Sequence, residues 1–593
     1  MRVADYIINY LKNKKIKNFF SITGRGSLFL NDALARDKDV KSFFFHHEQS
    51  AAFAAITSPE IDSSISCCMV STGCASTNTL TAVLSAWQDS IPVIFISGQN
   101  FLNETTRFKK NKIRTYGQQE ANIVEIVKPI TKYAKMISDP KHIKYELDKA
   151  FYHANNSLKG PVWLDIPLDI QNSRISEKKL KTFSKNYQLK KCSLKLINRT
   201  LSQLKASKRP VILIGSGVKK SESINEFRKF VKKYKIPVVY TSSAPSILGS
   251  ESKYLIGSLG SQGCSREGAF SVQNCDLLIV LGSRLNSLTI GLDTEKFARG
   301  AKKIIVDIDR EEYFKNKFNN SSLILSDLGF FISKMNKKKI KVSWSDWVQK
   351  CLSWKKLFKK NKKDIFRSSK KINLYELSDV FSNTLPKESV FLCDSGFIDV
   401  ILPTNINFKK NQICIHPVSQ GSMGFALPAI IGAHSTGKKN IISVIGDGSI
   451  MMNIQELQTI KYYNIPAKIF IINNKMYGII RRRQKELFRG RTIGTDNANG
   501  VGSPNFKKIS KAFGIQYKLI KTNKNLKKDV KGILSEKKSI ICEIMADENQ
   551  EYIETGYAKN INGKVVRRPL EDQKPFLDRD IFLKEMIISP IDQ

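Results

Sequence analysis

A glycine-flanked aspartate, Gly446-Asp447-Gly448-Ser449, and a paired asparagine, Asn473-Asn474, bracket a unit that can fold in few ways. Residues 441–445 are a short apolar run of strand type, 451–463 carry Ile454, Leu457 and Ile460 at helical spacing, and 467–472 are a second apolar run. A strand, helix, strand crossover of this length makes its strands parallel. Asp447 and Asn474 then leave the sheet at carboxyl ends, where open α/β sheets bind ligands. Two oxygen-bearing side chains face one crevice. Such ligands suit a hard cation such as Mg²⁺, which keeps further ligands from a substrate or cofactor phosphate. Gly448 and Ser449 are expected to open the helix, whose free amides favour that phosphate. The pattern spells a metal-bridged diphosphate site.

At 593 residues the chain exceeds one core and suggests several α/β domains. No stretch approaches the roughly 20 apolar residues that span a bilayer, and Met1 to Asp5 leads into an amphipathic segment, not a signal sequence. A cytoplasmic protein without a membrane partner is expected. The ten cysteines show no CxxC pair and no zinc spacing, so they read as reduced, mostly buried thiols. The formal charge of +44 invites a nucleic-acid partner. Lysine is spread through the chain alongside Asn, Ile and Phe, no recognition-helix, RNP or zinc-finger pattern accompanies it, and compositional bias accounts for the charge better. The basic runs at 178–191, 334–341 and 355–371 fall between compact segments and read as solvated linkers.

The expected fold class is α/β, with three doubly wound parallel-sheet domains. The first spans 1–172, with a clear unit in the apolar run 65–70, the turn Ser71-Thr72-Gly73-Cys74-Ala75, a helix over 78–87 and the strand 92–97. The second spans 192–335, opening on Arg209 to Gly217, and the third spans 372–547, followed by a tail over 548–593. Segments one and three both pair parallel strands with ligand-type turns, as a domain-scale repeat would.

The GDG...NN pattern, with 27 positions from Asp447 to Asn474, matches the thiamine diphosphate signature. Phe45-His46-His47-Glu48-Gln49-Ser50-Ala51-Ala52, IRTYGQQEANIVEIVKPITKY from Ile113, GPVWLDIPLDIQ from Gly160 and QGSMGFALPAIIGA from Gln420 agree with it. Together they resemble the acetolactate synthase large subunit over almost the full length. The resemblance implies a pyrimidine-binding, a central and a diphosphate-binding domain, with the cofactor held between two subunits of at least a dimer. It assigns Mg²⁺ to Asp447, Asn474 and the carbonyl of Met476. Glu48 would hydrogen-bond N1′ of the aminopyrimidine; one of His46 and His47 could orient it, or either could be a structural histidine. Ala51, Ala52, Ala54 and Ala55 would let its helix pack closely. Met423 would prop the bent cofactor and the Gly421 carbonyl would accept from its imino nitrogen. Gly396, Phe397, Ile398, Gly446, Gly448, Ser449 and Tyr477 complete the cofactor contacts, and Gln119 matches a glutamine near the thiazolium. The implied reaction is decarboxylation of pyruvate with transfer of the two-carbon unit to a carbonyl acceptor.

Two departures stand out. Arg483, in Arg481-Arg482-Arg483, takes the place of a tryptophan that shapes the acceptor pocket, and suits a more anionic acceptor. The tail, Pro569 to Leu577, resembles acetolactate-synthase-like enzymes of surface-polysaccharide sugars, which makes a nucleotide-linked keto-sugar the alternative acceptor. In the central segment, Gly215-Ser216-Gly217, Gly282-Ser283-Arg284 and Asp307-Ile308-Asp309 sit where the family binds FAD. Arg284 is followed by Leu285-Asn286-Ser287 instead of the family's phenylalanine and paired aspartates. FAD is therefore the third cofactor to test. A basic nucleic-acid-binding or regulatory protein that keeps the fold without catalysis is the competing class, against which Glu48, Asp447 and Asn474 all argue.

Overall fold

The computed structural model describes residues 1–591 apart from 17, 366–370 and 561, with no side chains over 360–365. Three domains each carry a six-stranded, wholly parallel sheet. The first holds Asn18–Ser21 (β1), Lys41–Phe44 (β2), Ser66–Val70 (β3), Val93–Gln99 (β4), Tyr133–Met136 (β5) and Val162–Pro167 (β6), in the order 2-1-3-4-6-5. The second holds Pro210–Ile214 (β7), Val238–Thr241 (β8), Leu255–Leu259 (β9), Leu277–Leu281 (β10), Lys302–Asp307 (β11) and Ser321–Leu325 (β12), in the order 12-11-10-7-8-9. The third holds Val390–Cys393 (β13), Ile413–Ile415 (β14), Ile441–Gly446 (β15), Lys468–Asn473 (β16), Gln516–Ile520 (β17) and Ile540–Met545 (β18), in the order 14-13-15-16-18-17. Counted within their domains, the first and third sheets have the same order, so the domain-scale repeat is present. Central strands such as β3, β4, β7 and β10 are buried along their whole length, as helices on both faces require.

In each sheet the order reverses beside the first strand, which places a crevice between β1 and β3, β7 and β10, and β13 and β15. The first and third domains pack through two small-residue helices, Glu48–Thr57 and Ala426–Ser435. A Cβ on Gly432 would lie 2.3 Å from the Ala54 carbonyl oxygen, so the alanines and this glycine allow backbone-to-backbone approach. Phe53 meets Phe425 edge to face at 5.5 Å, and one hydrophobic cluster runs through both domains.

Several local expectations are corrected. The helix read over 451–463 is a 3₁₀ turn, Ile450–Met452, followed by a shorter helix, Glu456–Tyr462. Asn453 breaks the run because its side chain is drawn away, donating to the Gly424 carbonyl and accepting from Ser50. The helix expected over 78–87 is Cys74–Thr77 and Leu80–Gln88. The basic stretch read as a linker from 355 is largely the helix Ser345–Ile365, whose Trp347, Cys351, Trp354 and Phe358 are buried in the central core while Lys356 and Lys359 are exposed. The remainder of that run, 366–370, lies outside the described residues. The tail folds back onto the central domain. Leu570, Leu577 and Phe582 join its core, and Arg299 pairs with Glu571 at 2.7 Å. Nine cysteines are buried and Cys74 is exposed, all ten being free.

Glu60 joins the first domain to the second through Lys219, at 2.8 Å, and Lys220. Burial pushes its carboxyl up, but the two ammonium groups outweigh burial and hold it down at about 2. A depressed carboxylate stabilises the fold fully above its ordinary value of 4.5 and loses that contribution as pH falls through about 2. Glu60→Gln should therefore lower the melting temperature at neutral pH, and the gap to the parent should close as pH falls from 4.5 toward about 2, as read by calorimetry.

Candidate functional site

The third domain's crevice is organised by Asp394, at the end of β13. Its fully buried carboxylate accepts from Ser395 N at 2.8 Å, Gly424 N at 3.1 Å, Ala426 N at 2.8 Å and the Ser449 hydroxyl. Burial pushes its pKa up to about 6, against the pull of these donors. One side chain thus ties together the loops after β13 and β15 and the start of the Ala426–Ser435 helix. Asp394 was not among the sequence candidates. Its signal was the strand-ending Asp394-Ser395-Gly396, a second version of the Asp447-Gly448-Ser449 turn.

Three glycines of the expected cofactor loops rim open space. A Cβ on Gly396 would meet nothing within 4 Å, one on Gly421 only Ser395 Oγ at 3.9 Å, and one on Gly446 only Ser449 Cβ at 3.8 Å. Gly396, at φ +103°, caps the helix Phe397–Asn405, whose first amides have no intrahelical acceptor. The side chains of Phe397 and Ile398 are buried in the domain core, which leaves their backbone for any ligand. Asp399, in the first turn of this helix, meets His416 Nδ1 at 2.5 Å, while His416 Nε2 lies 2.8 Å from the Ser242 carbonyl oxygen of the central domain. Met423 is half-buried beside the cradle. The Ser449 hydroxyl is spent on Asp394 and on Gly424 N, 3.0 Å away, so Gly448 and Ser449 open a 3₁₀ turn instead of a helix. The Tyr477 ring lies on Gly448, where a Cβ would be 2.1 Å from Cε1.

Asp447, Asn474 and Met476 converge as the sequence pattern requires, because β15 and β16 pair in parallel. The side-chain oxygen of Asn474 stands 3.3 Å from Asp447 Oδ1 and 2.8 Å from the Met476 carbonyl oxygen. It also accepts from Met476 N at 3.3 Å, so turning the amide would set an NH₂ against that N–H. In this orientation three oxygens face one point, the arrangement a hard cation relieves, whereas the amide turned over would donate its NH₂ to Asp447 Oδ1 and the Met476 carbonyl. Ser503 donates to the other oxygen of Asp447, closing the excursion that begins at Tyr477.

Glu48 begins its helix at the carboxyl edge of the first sheet, where Asn78 Nδ2 donates to Oε2 at 2.9 Å. The two histidines do not orient it: His47 Nδ1 accepts from Gln49 N, and the His46 amide donates to Glu456. Asn78 is the partner of Glu48, and His47 takes the structural alternative, capping its own helix. Among the described residues no hydrogen bond or ion pair joins Glu48 to the Asp447 cluster of the same chain. Gln119 lies in an exposed loop at φ +56°, its carbonyl pressed against Gly73. Arg483 is paired with Glu486 and Glu554, each at 2.9 Å. Arg482 reaches the same buried Glu554 at 2.6 Å, and Arg481 pairs with Asp496. The arginine triplet is neutralised from within the chain.

The central crevice opens into a cavity of about 650 Å³ between β7 and β10, walled by Ser216, Arg284, Asp307 and Glu312 of the central domain, Gln88 of the first and Ser419 of the third. Burial pushes Asp307 up to about 6, and Gln88 Oε1 is buried without a hydrogen-bond partner. The wall thus offers acceptors suited to ligand hydroxyl groups.

Glycines rimming a crevice beside three converging oxygens, on a repeat of doubly wound domains, are the arrangement expected of a thiamine diphosphate enzyme. The comparisons agree. Residues 1–126, 197–335 and 394–544 match the N-terminal TPP-binding, central and C-terminal TPP-binding domains of thiamine pyrophosphate enzymes, and the chain belongs to that family. Among its relatives is the acetolactate synthase large subunit of Cyanidium caldarium, 28% identical over 92% of this chain and 94% of that protein. That of Lactococcus lactis is 27% identical over 93% of both, and Escherichia coli isozyme 1 is 28% identical over 86% and 88%. No described helix is long and apolar enough to cross a membrane.

Removing Asp394 leaves Ser395 N, Ala426 N and the Ser449 hydroxyl without this acceptor, while Gly424 N keeps Ser449 Oγ, and each lost partner is worth about 1–3 kcal/mol of desolvation. Asp394→Ala should lower the denaturation midpoint and raise the thiamine diphosphate concentration needed for half-saturation about tenfold or more, read by fluorescence titration.

Proposed function

We propose that the chain is a thiamine diphosphate and Mg²⁺ dependent carboligase that decarboxylates pyruvate and transfers the two-carbon unit to a carbonyl acceptor, with a 2-ketoacid as the default acceptor. The convergence of Asp447 Oδ1, Asn474 Oδ1 and the Met476 carbonyl beside the glycine-rimmed cradle carries this reading. Bound cofactor supplies the nucleophilic carbon and the electron sink for decarboxylation. The protein's part is placement and proton transfer. Asp447, Asn474 and Met476 would hold Mg²⁺ against the diphosphate, Gly396 and Gly446 leave room for its oxygens to approach backbone amides, and the Gly421 carbonyl would accept from the imino nitrogen. Glu48, held by Asn78, would give and take the proton at N1′ of the aminopyrimidine.

With Glu48 carried on one domain and the metal ligands on another, the reading includes a dimer in which each site draws on two chains. Light scattering of the active protein tests this, and a fully active monomer rejects it. FAD is the proposed occupant of the central cavity. A flavin absorbance band in the purified protein supports that assignment, and a colourless, fully active holoenzyme removes it.

Incubation with pyruvate, cofactor and Mg²⁺ should yield CO₂ and a carboligation product. Added keto-sugar nucleotides test the alternative acceptor, and no decarboxylation rejects both. Glu48→Gln should lower turnover by about 10²–10⁴-fold with an unchanged circular dichroism spectrum and melting temperature. Chelation should stop turnover and Mg²⁺ restore it, whereas Asp447→Ala should need a far higher Mg²⁺ concentration for half-maximal rate.

A further inference from the structure

The first and third sheets share one strand order, so their loops can be compared position by position. In the third domain the loops after β13 and β15 meet at the switch point and form the diphosphate cradle. In the first domain the corresponding loops follow β1 and β3, and they meet in the same way. Gly26 N donates to Ser71 Oγ at 3.0 Å, and a Cβ on Gly24 would lie 2.5 Å from Ser71 Cβ. Between those two glycines stands Arg25, in the place that Gly396 and its neighbours hold in the third domain.

Arg25 is exposed, and its Nη1 donates to the side-chain oxygen of Gln118 at 2.5 Å. Gln118 precedes Gln119, whose carbonyl packs on Gly73. Gly73 opens the short segment that ends at Asn78, the partner of Glu48. Arg25 and Glu48 therefore flank one loop on one edge of one sheet. Arg25 differs from the arginine triplet in its partners: Arg481, Arg482 and Arg483 are all matched by carboxylates, whereas among the described residues Arg25 has none. A guanidinium oriented by a neutral amide keeps its charge and most of its donors for an incoming anion.

We propose that Arg25 binds an oxyanion of the acceptor substrate and is a specificity-determining residue of the site; this rests on the carboligase reading above. The acceptor is favoured over the donor on energetic grounds. Decarboxylation removes negative charge from the donor carboxylate, so a guanidinium bound to it would stabilise the ground state more than the transition state and slow the step. An acceptor keeps its anionic group throughout, and uniform binding of that group raises its affinity at no such cost. The oxyanion is a carboxylate if the acceptor is a 2-ketoacid, or a diphosphate if it is a nucleotide-linked sugar.

The test uses full-length Arg25→Gln, Arg25→Lys and Gln118→Ala proteins with cofactor and Mg²⁺. Carboligation is assayed with pyruvate as its own acceptor and, separately, with keto-sugar nucleotides. CO₂ release from pyruvate with an artificial electron acceptor reports the donor half-reaction. In Arg25→Gln the acceptor concentration for half-maximal carboligation should rise about ten- to hundredfold, as loss of a charge-assisted hydrogen bond implies, and the donor half-reaction should fall by a much smaller factor. Arg25→Lys should recover part of the loss, and Gln118→Ala should shift the acceptor requirement less than roughly threefold. The arm that shows the change identifies the oxyanion. Equal loss in both half-reactions, an acceptor requirement unchanged in both arms, or a Gln118→Ala protein matching Arg25→Gln would overturn the proposal, the last making Arg25 a pin for its loop. Failure of the parent chain to decarboxylate pyruvate would overturn the carboligase reading itself, and this proposal with it.

Discussion

A single buried carboxylate holds the cofactor side of this protein in shape. Asp394 takes donors from three separate stretches of chain, and each stretch presents a glycine or a small residue to the same space. Burying a carboxylate is unfavourable unless its lone pairs are filled. Here they are filled by backbone amides and one hydroxyl, so satisfying Asp394 is the same event as assembling the cradle. The His416 and Asp399 contact extends the arrangement outward, fixing the first turn of the Gly396 helix against a carbonyl of the central domain.

The three crevices follow one rule with different outcomes. Parallel strands whose order reverses leave a gap at their carboxyl ends, and loops there need glycine to approach one another. In the third domain those loops frame a glycine-rimmed crevice beside Asp447, Asn474 and Met476, the proposed diphosphate and metal site. In the second they open a cavity lined with acceptors, and in the first they present Arg25 beside the loop that leads to Asn78 and Glu48. The first and third domains press their small-residue helices together, so neither half of the chain's chemistry is carried on an independent body.

Charge is handled locally. The arginine triplet after Tyr477, a conspicuous basic cluster close to Asn474 in the chain, is absorbed by Glu486, Asp496 and the buried Glu554 of the tail. The helix that carries the basic run from 355 packs Trp347, Trp354 and Phe358 on the central core. A lysine-rich sequence blurs amphipathic helices into apparent linkers, because the solvent face dominates composition while the buried face contributes only every third or fourth residue.

The sequence by itself determined the α/β class, the parallel crossover that joins Asp447 to Asn474, the glycines of the cradle and the family, because each depends on short-range periodicity or on a motif whose residues are adjacent. Only the tertiary structure decided the rest. Asp394 emerged as the organiser because its four donors come from positions up to 55 residues away in the chain. Asn78, not a neighbouring histidine, holds Glu48, and the broken helix after Ser449 reflects the pull of Gly424 and Ser50 on Asn453. Arg483 meets two carboxylates and Arg25 a neutral amide for the same reason. Whether an arginine is free to meet a ligand depends on which carboxylates the fold brings within reach, and no local pattern encodes that.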